Sequence, residues 1–287
     1  MHIVNKFFLL LILGITMSCQ IGKIEKESNL ISVSILPEKY FVERIAGDDF
    51  KVNVLIPPGA SPATYEPTPM QMRDVAKSTA YLKIGYIPFE KVWLNNLVEG
   101  AGDIKIFDLS EGIELIQGKE KHGDHFHEGG IDPHIWSSLK SAKILSANLL
   151  QALISMAPDK KNLYEKNYQK FMSEIDSLNQ SAESAFFKKK GMSFMIFHPA
   201  LSYFARDYGL RQITVELEGK DPSPTHMKNL VEEAKERGIR KVFVQKEFNV
   251  ENARVIVAEI KGEVVSIDPL SENWLSEMKR IIDILKD

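Results

Sequence analysis

The stretch Lys161-Asn162-Leu163-Tyr164-Glu165-Lys166-Asn167-Tyr168-Gln169-Lys170-Phe171-Met172-Ser173-Glu174-Ile175-Asp176-Ser177-Leu178 decides the architecture. Its apolar and aromatic positions Tyr164, Tyr168, Phe171, Ile175 and Leu178, continued by Ala182 and Ala185, advance in steps of three and four with polar residues between them. That spacing predicts one helix over 159–189 with a single packing stripe and three wet faces. Ala157-Pro158-Asp159 parts it from an earlier helix over 137–155. On either side of this pair the chain alternates strand with helix. Segments 31–35, 50–56, 80–84 and 104–108 are strand-like, with helical stretches at 39–46, 69–77 and 89–97. Beyond the long helix, strands at 194–197, 212–215, 241–245 and 263–268 alternate with helices at 200–207, 250–260 and 274–285, and another helix opens at Ser223-Pro224 with a capping residue and Pro in its first turn. The fold class is therefore α/β. An N-terminal lobe (28–156) and a C-terminal lobe (191–287) are joined by a stiff helix (157–190), and a cleft is expected between them because each lobe needs its own sheet and cover.

Composition sets outer limits. The 287 residues are 44% hydrophobic, and 36 basic against 39 acidic side chains give a formal charge of −3. No basic stripe for nucleic acid and no acidic tail are present. Lys188-Lys189-Lys190 is a solvated helix end. At the start, a weakly basic segment 1–6 precedes the apolar run 7–15 and then Thr16-Met17-Ser18-Cys19. The run is too short for a bilayer span, which takes ~20 residues, and suits the core of an export signal. This segment (1–19) resembles a bacterial lipoprotein signal, although Thr16 and Met17 depart from the usual Leu-led pattern. The resemblance implies membrane attachment through a lipidated Cys19, which is the only cysteine, so no intrachain disulfide can form.

Chemistry concentrates on histidine. Four of seven, His122, His125, His127 and His134, fall within thirteen residues, three of them in a Gly-rich segment (118–130) with no apolar periodicity. Imidazole in that density points to a transition metal. His198 directly follows the strand Phe194-Met195-Ile196-Phe197, and Asp268 directly follows Val264-Val265-Ser266-Ile267, so both are expected at the carboxyl edge of one sheet, where α/β folds bind ligands. His134, in Asp132-Pro133-His134-Ile135-Trp136, comes from the other lobe. Two imidazoles and a carboxylate across a cleft make a plausible Zn²⁺ or Mn²⁺ site, with Zn²⁺ preferred for imidazole-rich ligation. Taken singly, each residue reads as an ordinary cap or turn; together they read as a site.

These residues carry a family resemblance. In order along the chain stand Gly59-Ala60-Ser61-Pro62-Ala63-Thr64-Tyr65-Glu66-Pro67-Thr68-Pro69, Asp132-Pro133-His134-Ile135-Trp136, His198-Pro199-Ala200-Leu201-Ser202-Tyr203-Phe204, Glu218-Gly219-Lys220-Asp221-Pro222-Ser223-Pro224 and Ile267-Asp268-Pro269-Leu270. The series resembles the zinc/manganese solute-binding proteins of bacterial ABC importers. The resemblance implies two (β/α)4-type lobes on a rigid backbone helix, a metal in the interdomain cleft held by His134, His198 and Asp268, and delivery to an ABC permease in the inner membrane by a monomeric receptor. The His-laden segment before Asp132 resembles the zinc-specific branch. One position departs: the family's first ligand is a histidine where this chain has Ala63, which cannot bind metal. Water, Glu66 or a histidine of the 118–130 segment could complete the set, His127 ahead of His122 and His125 because it lies nearest His134 in sequence. Glu66 is equally placed to cap the helix that opens at Pro69.

Two rival classes stay open. A three-ligand zinc site with an open position is also the arrangement of catalytic zinc. No His-Glu-x-x-His motif supports a hydrolase. A protein that has lost a ligand could also serve as an adhesin-like scaffold with weakened metal binding.

Overall fold

The computed structural model describes residues 26–99, 103–122, 125–216 and 222–287. The signal-like segment and Cys19 lie outside them. The first sheet comprises β1 (Leu30–Val33), β2 (Lys51–Val54), β3 (Ala80–Lys83) and β4 (Lys105–Asp108), all parallel in the order β2-β1-β3-β4. Between them run α1 (Leu36–Ala46), α2 (Pro69–Lys77) and α3 (Pro88–Glu99). A ribbon of β5 (Gln117–His122) and β6 (His125–Ile131) follows, then α4 (Leu139–Met156) and the long α5 (Lys161–Phe186). The second sheet, β7 (Ser193–Ile196), β8 (Arg211–Thr214), β9 (Lys241–Gln245) and β10 (Glu263–Ile267), is parallel in the order β10-β9-β7-β8. Its connections carry α6 (Ser202–Tyr208), α7 (Pro224–Glu236) and α8 (Glu251–Ile260), and α9 (Trp274–Lys286) closes the chain. The α/β class, with one four-stranded parallel sheet in each lobe and a long helix between, is the architecture expected from the alternation. The long helix is α-helical over Lys161–Phe186, with a 3₁₀ turn before it (Pro158–Lys160) and another after it (Phe187–Lys189).

Three local features differ from the sequence expectation. The Gly-rich histidine segment, expected as an irregular loop, has the backbone of an antiparallel ribbon in which Lys119 faces Glu128 and His122 faces His125. Its Gly123-Asp124 pair has the composition of a two-residue hairpin connection, a signal the composition argument passed over. Glu66 does not cap α2. Thr68 does, accepting the Gln71 N–H at 3.3 Å while the Gln71 side chain accepts the Thr68 N–H at 2.9 Å, and Glu66 is exposed. The reason is register: Thr68 directly precedes Pro69 and reaches the third N–H of the helix, whereas Glu66 sits two residues too early.

The third difference is the core. Separate apolar interiors were expected for the two lobes, yet one buried cluster runs from Ile31 and Phe41 through α4 and α5 to Phe243, Ile267 and the buried face of α9. Trp274 meets Phe41 edge-on at 4.9 Å, and Phe41 meets Phe171 of the spine at 5.7 Å. The amphipathic α9 causes this. Its stripe Trp274, Met278, Ile281, Ile282 and Leu285 covers the second sheet and reaches the spine and α1. Among the described residues, only the far face of the second sheet, under α7 and α8, keeps a cluster of its own.

Both sheets share a strand order that reverses direction at its first strand, and such reversals leave a crevice beyond the carboxyl ends. In the first sheet that crevice is closed by two buried carboxyls. Glu38 accepts the N–H groups of Ser34 and Ile35 at 2.9 and 3.0 Å, and Glu90 accepts those of Ile84 and Gly85 at 3.1 and 2.5 Å. Burial drives the Glu38 carboxyl well above its ordinary value, with the Glu90 charge adding to the effect, and burial lifts Glu90 to about 7. A carboxyl whose native pKa is raised holds its proton more tightly when folded. It stabilises below the ordinary carboxylate value of ~4.3 and loses that contribution as pH climbs through the native value. Glu38→Gln keeps a carbonyl for the two backbone donors and carries no charge. It is therefore expected to melt above the wild type at pH 8, with the gap narrowing at pH 5; an equal gap at both would show that no proton is held here. Glu38→Ala, which abandons both donors and leaves a cavity, should cost about 2–4 kcal/mol at either pH.

Candidate metal centre

The second sheet's crevice lies between β7 and β9 and carries His198. Its backbone is clamped by Gln245 at the end of β9, whose side-chain amide donates to the His198 carbonyl at 2.6 Å while its oxygen accepts the His198 N–H at 3.3 Å. Phe248 stacks on the ring at 5.0 Å. His134 arrives from the segment between β6 and α4. Asp132 Oδ1 accepts its backbone N–H at 2.9 Å and lies 2.8 Å from its Nδ1. Tyr203 of α6 donates its hydroxyl to the Asp132 carbonyl at 2.8 Å, tying that turn to the C-terminal lobe.

The two imidazoles meet. His134 Nε2 and His198 Nε2 are 3.1 Å apart, with the rings edge to face at 4.9 Å. Each ring turns its other nitrogen to a carboxylate, His134 to Asp132 and His198 to Glu216, the latter at 2.5 Å. A carboxylate accepts and cannot donate, so each Nδ1 carries the hydrogen, and in a neutral ring the Nε2 is then a lone pair. Two such lone pairs repel unless a proton or a metal cation lies between them. Nitrogen ligands at ~2.05 Å from a tetrahedral zinc stand roughly 3.3 Å apart, close to the observed separation. Burial lowers the His198 pKa in spite of the Glu216 hydrogen bond, which favours the neutral, ligating form. Burial alone would raise Asp132, but its hydrogen bonds and proximity to His134 outweigh that and hold its carboxyl below the usual range.

The other expected ligands sit differently. Asp268 follows β10 at the same carboxyl edge as His198, with β9 between their strands, and its Oδ2 pairs with Lys246 Nζ at 2.8 Å. Among the described residues no group of three His, Cys, Asp or Glu side chains is arranged so that it could hold a metal ion. Ala63 and Glu66 are exposed on the loop before α2. The side chains of 118–129, including His122, His125 and His127, lie outside the described residues. A pocket of about 100 Å³ separates the Pro57-Pro58-Gly59 turn of the first lobe from Lys246, Glu247, Asp268 and Leu270 of the second. Glu216, Gln245 and Lys246 escaped the sequence reading. All three stand at or within two residues of the end of a strand of the His198 sheet, the kind of position that singled out His198 and Asp268, and applying that criterion to the expected strands 212–215 and 241–245 would have found them.

Comparison with known proteins identifies the family. A family model described as the periplasmic zinc-uptake complex component A, ZnuA, matches residues 31–287. A crystal structure of ZnuA is 35% identical, with a TM-score of 0.83 over 91% of this chain and 98% of that one. The high-affinity zinc uptake system protein ZnuA of Bacillus subtilis is 26% identical over 90% of this chain and 86% of its own length. The manganese ABC transporter substrate-binding lipoprotein PsaA of Streptococcus pneumoniae is 27% identical over 83% and 79%. No helix among the described residues is long and apolar enough to cross a membrane. With all of its length beyond residue 30 matched, this chain belongs to the ZnuA family of periplasmic zinc-uptake components.

Proposed function

We propose that this protein captures zinc outside the cytoplasm and delivers it to the permease of an ABC importer, with His134 and His198 as the first two ligands and Asp268 as the third. The observation that carries this reading is the facing pair of Nε2 atoms, each imidazole oriented by its own carboxylate. Zinc is the cargo, held and released unchanged, and the protein is a receptor with no turnover of its own. Manganese is the weaker alternative because imidazole suits it less well than zinc. The export segment and Cys19 would tether a monomeric receptor to a membrane. Water, Glu66 or a histidine of the ribbon completes the coordination that Ala63 cannot.

The test is a competition titration of the metal-free protein with zinc, paired with X-ray absorption at the zinc edge. One tight equivalent with two imidazoles in its first shell is expected, and any ribbon histidines should add only weaker equivalents that vanish when 118–130 is deleted. A tight site lacking imidazole scattering would remove His134 and His198 from it.

A further inference from the structure

Among the described residues, Lys246 is the one basic side chain lining the cleft pocket, and it faces two acids there, Asp268 and Glu247. Its Nζ lies 2.8 Å from Asp268 Oδ2. The two partners are unequal in freedom. The Asp268 backbone N–H is held by Glu277 Oε1 at 2.8 Å, and Glu277 is itself gripped by Arg280 at 2.6 and 2.8 Å, with Arg280 also donating to the Ser266 carbonyl. Asp268 is thus fixed to the start of α9, and its side chain is 19% exposed. Lys246 projects from the loop after β9 on a flexible four-carbon stem, and its side chain is 62% exposed. The Asp268 charge also reaches Glu247, whose carboxyl is raised first by burial and then by that charge.

We propose that Lys246 is a tethered counter-ion that competes with the incoming cation for the Asp268 carboxylate, and so sets how tightly the receptor holds its metal. The inference rests on Asp268 being a ligand. A carboxylate paired with an ammonium must release it before joining two imidazoles on zinc, and of the two groups only the lysine is free to swing. Departure of the lysine leaves Asp268 and Glu247 beside a dication, so the charge lost from the pocket is replaced by the cargo. Lys246 then acts as an affinity-determining residue that touches no metal.

A double-mutant cycle in the full mature chain tests this with zinc as the probe. Lys246→Met is expected to tighten zinc binding about two- to fivefold, the size of an ion pair with one exposed partner. In an Asp268→Asn background the same substitution should change nothing, because the contested carboxylate is gone. A gain that persists in that background would mean simple repulsion of the cation at a distance, and no gain in either background would make the pair a surface contact; both results overturn the proposal. Asp268→Asn alone reports on the ligand reading. If it leaves affinity intact, Asp268 is not a ligand and the site assignment fails, whereas weakening by Asp268→Asn with no response to Lys246→Met sinks only the counter-ion. As a second readout, zinc should speed acylation of Lys246 in peptide mapping while leaving Lys228 and Lys279 unchanged.

Discussion

Zinc affinity in His198→Ala should fall by more than about a hundredfold, since losing even a group that only orients a ligand costs about 10–100-fold and the proposed site takes a nitrogen of His198 directly. Its removal also strands Glu216, which is 5% exposed and bonded to His198 Nδ1. The variant should still fold, because His198 lies at a strand end and Gln245 holds its backbone rather than its ring. Glu216→Gln separates ligation from orientation. It keeps a hydrogen-bonding oxygen but no charge, and it should weaken zinc by about 10-fold, within the outer-shell range, with the first shell unchanged by X-ray absorption. Competition titration decides both. Unchanged affinity in His198→Ala would place the tight site elsewhere in the chain.

Trp274→Ala should cost about 3–5 kcal/mol in denaturant unfolding, near the upper end for a buried aromatic. Trp274 is 1% exposed, packs edge-on against Phe41, and donates its indole N–H to the Trp136 carbonyl at 2.8 Å. Trp136 in turn donates to the Pro269 carbonyl at 3.0 Å, so the two indoles join the turns that carry His134 and Asp268. Trp274→Phe keeps most of the ring and loses the donor, leaving a buried carbonyl unpaired, and should fall between wild type and Ala at about 1–3 kcal/mol. A cost below about 1 kcal/mol for the Ala variant would mean that the shared core does not depend on α9.

How far the sequence could be read depended on whether a signal was local. The stripe Tyr164, Phe171, Ile175 and Ala182 announced the spine because helical periodicity is written into neighbouring residues, and the structure buries all four. Ser223-Pro224 marked a helix start for the same reason, with Ser223 accepting the His226 N–H. Strand-end position brought His198 to notice, and chain order placed His134 opposite it. Pairings between distant segments were invisible. Nothing near Glu216 says that it will meet His198, nothing near Lys246 says that it will hold Asp268, and the reach of Trp274 across to Phe41 follows from how α9 lands. The ribbon over Gln117–Ile131 was hidden by composition, since a polar, Gly-rich pair of strands lacks the one-sided apolar alternation that betrays a strand.

Receptors that clamp a ligand by swinging two bodies about a flexible joint advertise their loaded state by outline. Here the reciprocal indoles of Trp136 and Trp274 rivet the two strand-end turns together, and the interior behind them is continuous from one sheet to the other. A wide swing would tear that interior open. Cargo bound at the proposed site would therefore have to enter and leave through small side-chain and loop displacements at the rim, and the filled and unfilled receptors would present nearly the same silhouette to the transporter. What differs between them is the charge at the mouth, so a transporter that tells them apart has to sense electrostatics more than shape, and one that cannot would be blocked by receptors returning with nothing to deliver.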